Sequence, residues 1–185
     1  MSIVNKIVSI INDNIISSAN CLNVRAIGLS EVLIRDGKTF PVIIDKNSIE
    51  HIFFDDSFEC ELYHYPNSES NSNDNNKGFG DNKIIEKTFD NSIILYARNT
   101  SNEYINEIID KALTTIITQS QRSILGVNFV DIELKSIKTD KQTIYKQEFG
   151  ELRYKINAND VLIKVDYSIV YMLLNKCLEP NKSNC

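Results

Sequence analysis

Two histidines, four cysteines and one acidic neighbourhood are the residues that chemistry in this chain would have to use. His64 follows Cys60 by four positions, and His51 lies further upstream. A zinc site needs donors at tight, recurring spacings, and these three do not supply them. On an extended strand Cys60 and His64 share a face with Phe58 and Leu62, so both read as packed side chains. Asp45, Asp55, Asp56, Glu59 and Glu61 offer oxygen ligands to a hard cation, but the alternating Asp/Asn order, the Gly and the closing Glu of a calcium loop are missing. They read as a solvated strand face and turn. Gly78-Phe79-Gly80 carries two glycines of a phosphate-binding turn, with no strand just before it and no third glycine after it. Serines and threonines are plentiful, yet two histidines in one acidic region leave little material for a nucleophile–base pair. The expectation is a chain with no catalytic residues, no metal site and no cofactor, and not an enzyme.

One stretch is basic: Lys135, Lys138, Lys141, Lys146, Arg153 and Lys155, interleaved with Tyr145 and Tyr154. Aromatic and basic residues together can hold single-stranded nucleic acid. The chain as a whole has 20 basic against 25 acidic residues, a net charge of −5, which favours a protein partner over a polyanion. Segments 142–149 and 151–156 flank Gly150 and are predicted to pair as a protruding β-ribbon over residues 138–156. Such a ribbon meets a neighbour by edge pairing or by lying across it. The side chains expected at that contact are Tyr145, Phe149, Arg153 and Tyr154 of the ribbon, Phe79 of the preceding loop, and Tyr63 and Tyr65 of the strand leading into that loop.

The elements that position these residues follow from periodicity. Ile3, Val4, Ile7, Val8, Ile11 and Ile15 form a stripe at helical spacing, predicting an amphipathic helix over residues 2–17. A short strand is expected over 22–27. Asp36-Gly37 between two β-rich runs, 31–35 and 39–44, is a hairpin signal. Pro41 cannot donate to a ladder, so its strand is expected to be an edge or to pair on one side there. Alternation over 57–64 predicts another strand. Residues 66–82, rich in Asn, Ser, Asp and Gly, read as a flexible loop. A strand over 83–98 then feeds a helix over 100–119, with Thr100 and Glu103 in capping-box spacing and Ile105, Ile108, Ile109, Ala112, Leu113 and Ile116 on one face. Residues 127–137 alternate in an ambiguous register, and Val161 to Tyr171 alternate over a long strand. The element order predicts an α+β fold: a mainly antiparallel sheet with two amphipathic helices packed on one face, a long loop and the ribbon. It is read as one domain over 1–178 with a disordered tail at 179–185.

Scattered cysteines without a CxxC pair point to a reducing compartment. No segment resembles a signal peptide or a membrane span, so the protein is expected to be soluble and not exported.

In their order, the first helix, the "TFPVII" strand at Thr39–Ile44, the strand–helix unit from Ser92 to Gln119 and the closing strand "VLIKVDYSIVYML" at Val161–Leu173 resemble the tail-terminator or tail-completion proteins of tailed bacteriophages. The resemblance is architectural and spans roughly residues 1–174. It implies a structural virion protein assembled in the host cytoplasm, a ring subunit between head connector and tail. Its partners would be about six or twelve copies of itself and the neighbouring neck, portal and tail proteins, with DNA only passing through the lumen and no membrane contact. It carries no catalytic residues to this chain. The long 66–82 segment and the large ribbon depart from a minimal member. The residues leave open a second reading, a cytosolic adaptor or regulatory protein-binding module without catalytic activity.

Overall fold

The computed structural model describes residues 2–19, 22–35, 38–45, 48–51, 56–67, 75–77, 84–114, 122, 125–127, 129–149 and 156–174. Helix α1 (Ile3–Ser18) begins at Ser2, whose hydroxyl accepts from the Asn5 N–H at 3.2 Å. Its stripe of Val4, Ile7, Val8, Ile11 and Ile15 is buried as the spacing requires. Strand β1 (Val24–Leu29) follows, and then the hairpin of β2 (Glu31–Arg35) and β3 (Lys38–Asp45), closed with Arg35 opposite Lys38. Strand β4 (Ser48–His51) pairs with the other side of β3. Pro41 faces Val32 of β2, and the last β3–β4 pair among the described residues is Val42 with His51.

The main sheet has the order β1, β5 (Cys60–Pro66), β7 (Ile84–Ala97), β9 (Val161–Leu174), β8 (Phe129–Lys138). Only β1 and β5 run parallel; every other pair is antiparallel. A short strand β6 (Asn75–Lys77) pairs with the first residues of β7, so a strand lies inside the segment expected to be loop. The run Ile93–Ala97 is apolar without alternation because its strand is central and covered on both faces. Ile93, Leu95 and Ala97 face α1 and α2 (Asn102–Thr114), while Ile94 and Tyr96 face the opposite side.

Helix α2 starts one residue later than the capping-box spacing predicts. Ser101 is the cap, its hydroxyl accepting from the Tyr104 N–H at 3.2 Å, and Asn99 makes the preceding turn at φ 47°. The buried residues are the expected Ile105, Ile108, Ile109, Ala112 and Leu113; residues 115–119 lie outside the described ones. In β8 the ambiguous register resolves through a bulge. Leu134 pairs with Tyr167 and Ser136 with Asp166, leaving Lys135 as the extra residue. The phase therefore changes mid-strand, and Val130, Ile132 and Ile137 can all reach the core.

The fold is α+β and mainly antiparallel, as expected, but the ribbon is not there. Lys141–Phe149 is a third helix, α3. Asp140 caps it: its carboxylate accepts from the N–H groups of Gln142 (3.1 Å) and Thr143 (3.3 Å) and from the Thr143 hydroxyl (2.8 Å). Lys, Gln and Glu between the cap and Phe149 are good helix formers, and Ile144 and Phe149 reach the sheet. Thus α1 and α2 share one face, and α3 covers part of the other. Residues 150–155, the predicted second half of the ribbon, are outside the described ones. Among the described residues no helix is long and apolar enough to cross a membrane.

Candidate functional site

Three features of the sheet hold polar or exposed groups in ordered positions. The first is a buried node under α1. His64, fully enclosed on β5, meets the Tyr167 hydroxyl through Nδ1 at 2.8 Å and Asn12 Oδ1 through Nε2 at 2.7 Å. Asn12 Nδ2 donates to the Ile27 carbonyl at 3.3 Å, where the β1–β5 register slips between Ala26 and Leu29. With the amide so oriented, Asn12 Oδ1 can only accept, so His64 carries its proton on Nε2 and accepts from Tyr167 at Nδ1. Burial drives the imidazole pKa down to about 3, keeping it neutral. The same burial raises the Tyr167 hydroxyl. The His64 carbonyl accepts from both the N–H and hydroxyl of Ser30, tying the start of the small sheet to β5. Cys60 shares this face, as the strand alternation predicts; burial, then the Glu61 charge, pushes its thiol up to about 12, so it is an inert packed group.

The second feature is the aromatic face under α3. Tyr63, Ile94, Tyr96, Leu162, Ile144 and Phe149 form a small separate core, with Tyr65 and Tyr145 at its margin. Tyr63 meets Phe149 edge-on at 6.5 Å and 82°. Beside it Lys164 Nζ donates to Glu148 Oε1 (2.7 Å) and to the Tyr65 hydroxyl (2.6 Å), which in turn donates to Glu148 Oε2 (2.7 Å). Lys164 and Glu148 keep only 12% and 14% side-chain exposure, so the pair is largely desolvated and ties the end of α3 to β9. Burial, then the Glu148 charge, raises the Tyr65 hydroxyl. Further along the same face the sheet is polar. Ser92 (2.7 Å), Ser136 (2.8 Å) and Lys138 (3.2 Å) all reach Asp166, and Ser168 donates to Asp90. Burial alone would raise the Asp166 carboxyl, but these donors outweigh it and hold it below the usual carboxylate range. A shallow cavity of about 290 Å³ crosses this belt, lined by Asn67, Asp90, Lys135 and Asp166.

The predicted contact residues divide accordingly. Tyr63 and Phe149 are buried within the chain itself, a correction to their expected place on a contact surface. Tyr65 and Tyr145 are half-buried beside them. The sequence misled because α3 is a helix that folds back onto the sheet instead of a ribbon standing away from it. Phe79, Arg153 and Tyr154 lie outside the described residues. Of the acidic neighbourhood, Asp56 pairs with Arg98 at 2.7 Å, Glu59 accepts from the Asn23 N–H at 2.7 Å, and Glu61 faces Arg25 at 3.4 Å. Each of these three carboxylates has its own partner, Asp55 lies outside the described residues, and among the described residues no three His, Cys, Asp or Glu side chains gather as a metal site would need.

The third feature is the outer edge of β8, which sequence reasoning missed. Phe129 and Leu134 are 38% and 40% exposed there, and among the described residues β8 pairs only with β9. They lie on opposite phases of the strand, Leu134 in step with Val130 and Ile132, so no alternation pattern marks this edge in the sequence. A second shallow cavity, about 280 Å³, lies between the start of α2 and the 157–160 turn. Its one cation, Lys141, is already committed to the carbonyls of Asn157, Ala158 and Asp160 at 3.0, 2.7 and 3.2 Å.

No protein-family model matches the sequence, and no curated protein matches it.

Proposed function

We propose that this chain is a structural subunit of a tailed-phage neck or tail, closing a ring between head connector and tail by protein–protein contact, within a virion assembled in the host cytoplasm. The observation that carries the reading is the open β8 edge with its two exposed apolar side chains. An exposed strand edge is a place where sheets join their neighbours. The buried polar groups support contact over chemistry: His64 is sealed from solvent and neutral, Cys60 is inert, and Lys164 is neutralised by Glu148. The element order that resembles tail terminators fits the same reading. A net charge of −5 suits a lumen that lets DNA pass without gripping phosphates.

Native mass spectrometry with negative-stain microscopy of the purified chain tests this. The expected result is a single closed oligomer with an open centre. A chain that stays monomeric alone and with its genomic neighbours contradicts the ring and favours the adaptor reading.

A further inference from the structure

We propose that neighbouring copies join through the two outer edges of the main sheet, with β8 of one copy lying antiparallel to β1 of the next. The inference rests on the ring reading and adds which two surfaces make the ring.

Strand direction supplies the first argument. β5 runs parallel to β1, β7 opposes β5, β9 opposes β7, and β8 opposes β9. The strands at the two ends of the sheet therefore run in opposite senses. A second copy set alongside in the same orientation brings its β1 antiparallel to the first copy's β8, which is the more stable ladder. Among the described residues neither outer edge has a partner.

Layering supplies the second. α1 packs on β1 at one end of the sheet and α2 on β8 at the other, and both bury their stripes in the same core. Extending the sheet thus sets α2 of one copy beside α1 of the next, and the helical layer continues without a clash of faces. Exposure supplies the third. The exposed large apolar residues among those described are Phe129 and Leu134 on β8 and Ile16, 46% exposed, in the last turn of α1. Two of them lie on the terminal strand β8, and the third lies on α1, the helix that packs on β1. Contact between two different surfaces is what a ring requires. Pairing of β8 with itself about a two-fold axis would stop at a dimer and leave Ile16 and the β1 edge uncovered.

Cysteine cross-linking decides it. In full-length chains with Cys21, Cys177 and Cys185 changed to serine, Glu133→Cys and Arg25→Cys, which lie on the same face of the sheet, are made separately and treated with a short thiol-reactive cross-linker. Circular dichroism confirms that both are folded. The expected result is a covalent dimer from the mixture and none from either variant alone. Dimer from Glu133→Cys alone overturns the pairing in favour of the two-fold contact. No cross-link in a sample that sedimentation shows to be oligomeric overturns the pairing and leaves the ring reading standing. A monomer at every concentration overturns both.

Discussion

The two faces of the main sheet are built on different terms. One is an apolar layer under α1 and α2, interrupted by a sealed polar node at His64 and the buried Asn91. The other is apolar only where α3 sits and then turns into a belt of Asp90, Ser92, Asp166, Ser168 and Lys138, with Lys164 and Glu148 at the seam. The first face gains most from burial, at about 25 cal/mol per Å² of apolar surface. The second is held by directed contacts whose loss leaves charged groups without partners. The contrast teaches where variation can be tolerated: least under α1 and α2, where the face is continuous core, and more at the edges and along the partly polar face, where the proposed contacts lie on the edges.

The largest expected break in that contrast comes from pH. His64 has an ordinary value of 6.5 and about 3 in the folded chain. Below pH 6.5 the unfolded chain takes up a proton that the folded chain refuses, so the stability from neutral His64 is complete above 6.5 and is lost as pH falls toward 3. The slope is about 1.4 kcal/mol per pH unit, roughly 5 kcal/mol in total. Urea titrations across this range, compared with His64→Gln, isolate the contribution; parallel pH profiles for the two proteins would contradict the sealed node.

Next in size, Ile93→Ala under α1 and α2 is expected to cost about 4 kcal/mol, and Ile144→Ala in the smaller α3 core about 2 kcal/mol. Equal losses in chemical denaturation would show the two faces to be packed alike. Lys164→Met leaves Glu148 half-buried without its cation and is expected to cost about 2 kcal/mol. Glu148→Gln in the same background should recover most of that, as a double-mutant cycle would read. The smallest effect has the opposite sign. The Tyr63 hydroxyl is buried and has no hydrogen-bond partner among the described residues, so Tyr63→Phe is expected to stabilise by about 1 kcal/mol. A clear loss of melting temperature would reveal a partner for that hydroxyl.

Where a residue pattern had one physical meaning, the sequence could be read. The stripes of α1 and α2, the Asp36-Gly37 hairpin and the long strands β7 and β9 all follow from periodicity and turn chemistry. The stretch from Lys141 to Phe149 had two meanings. Its tyrosines and lysines suit a ribbon, and its Asp140 cap with Lys, Gln and Glu suits a helix; packing of Ile144 and Phe149 on the sheet decides between them. The His64 node joins residues far apart in sequence, and no local pattern marks Asn12 or Tyr167 as its partners. The bulge at Lys135 puts Ile137 on the core side out of step with Val130 and Ile132, which no alternation in the sequence predicts, and Leu134 is exposed although it shares the phase of Val130 and Ile132.

The central claim, that this chain works by joining others through the ends of its sheet, meets its most direct test in sedimentation velocity of the full chain beside a Phe129→Glu, Leu134→Glu double variant. The account predicts one discrete oligomer for the parent chain and a folded monomer for the variant. The same species for both, whether monomer or oligomer, would contradict it.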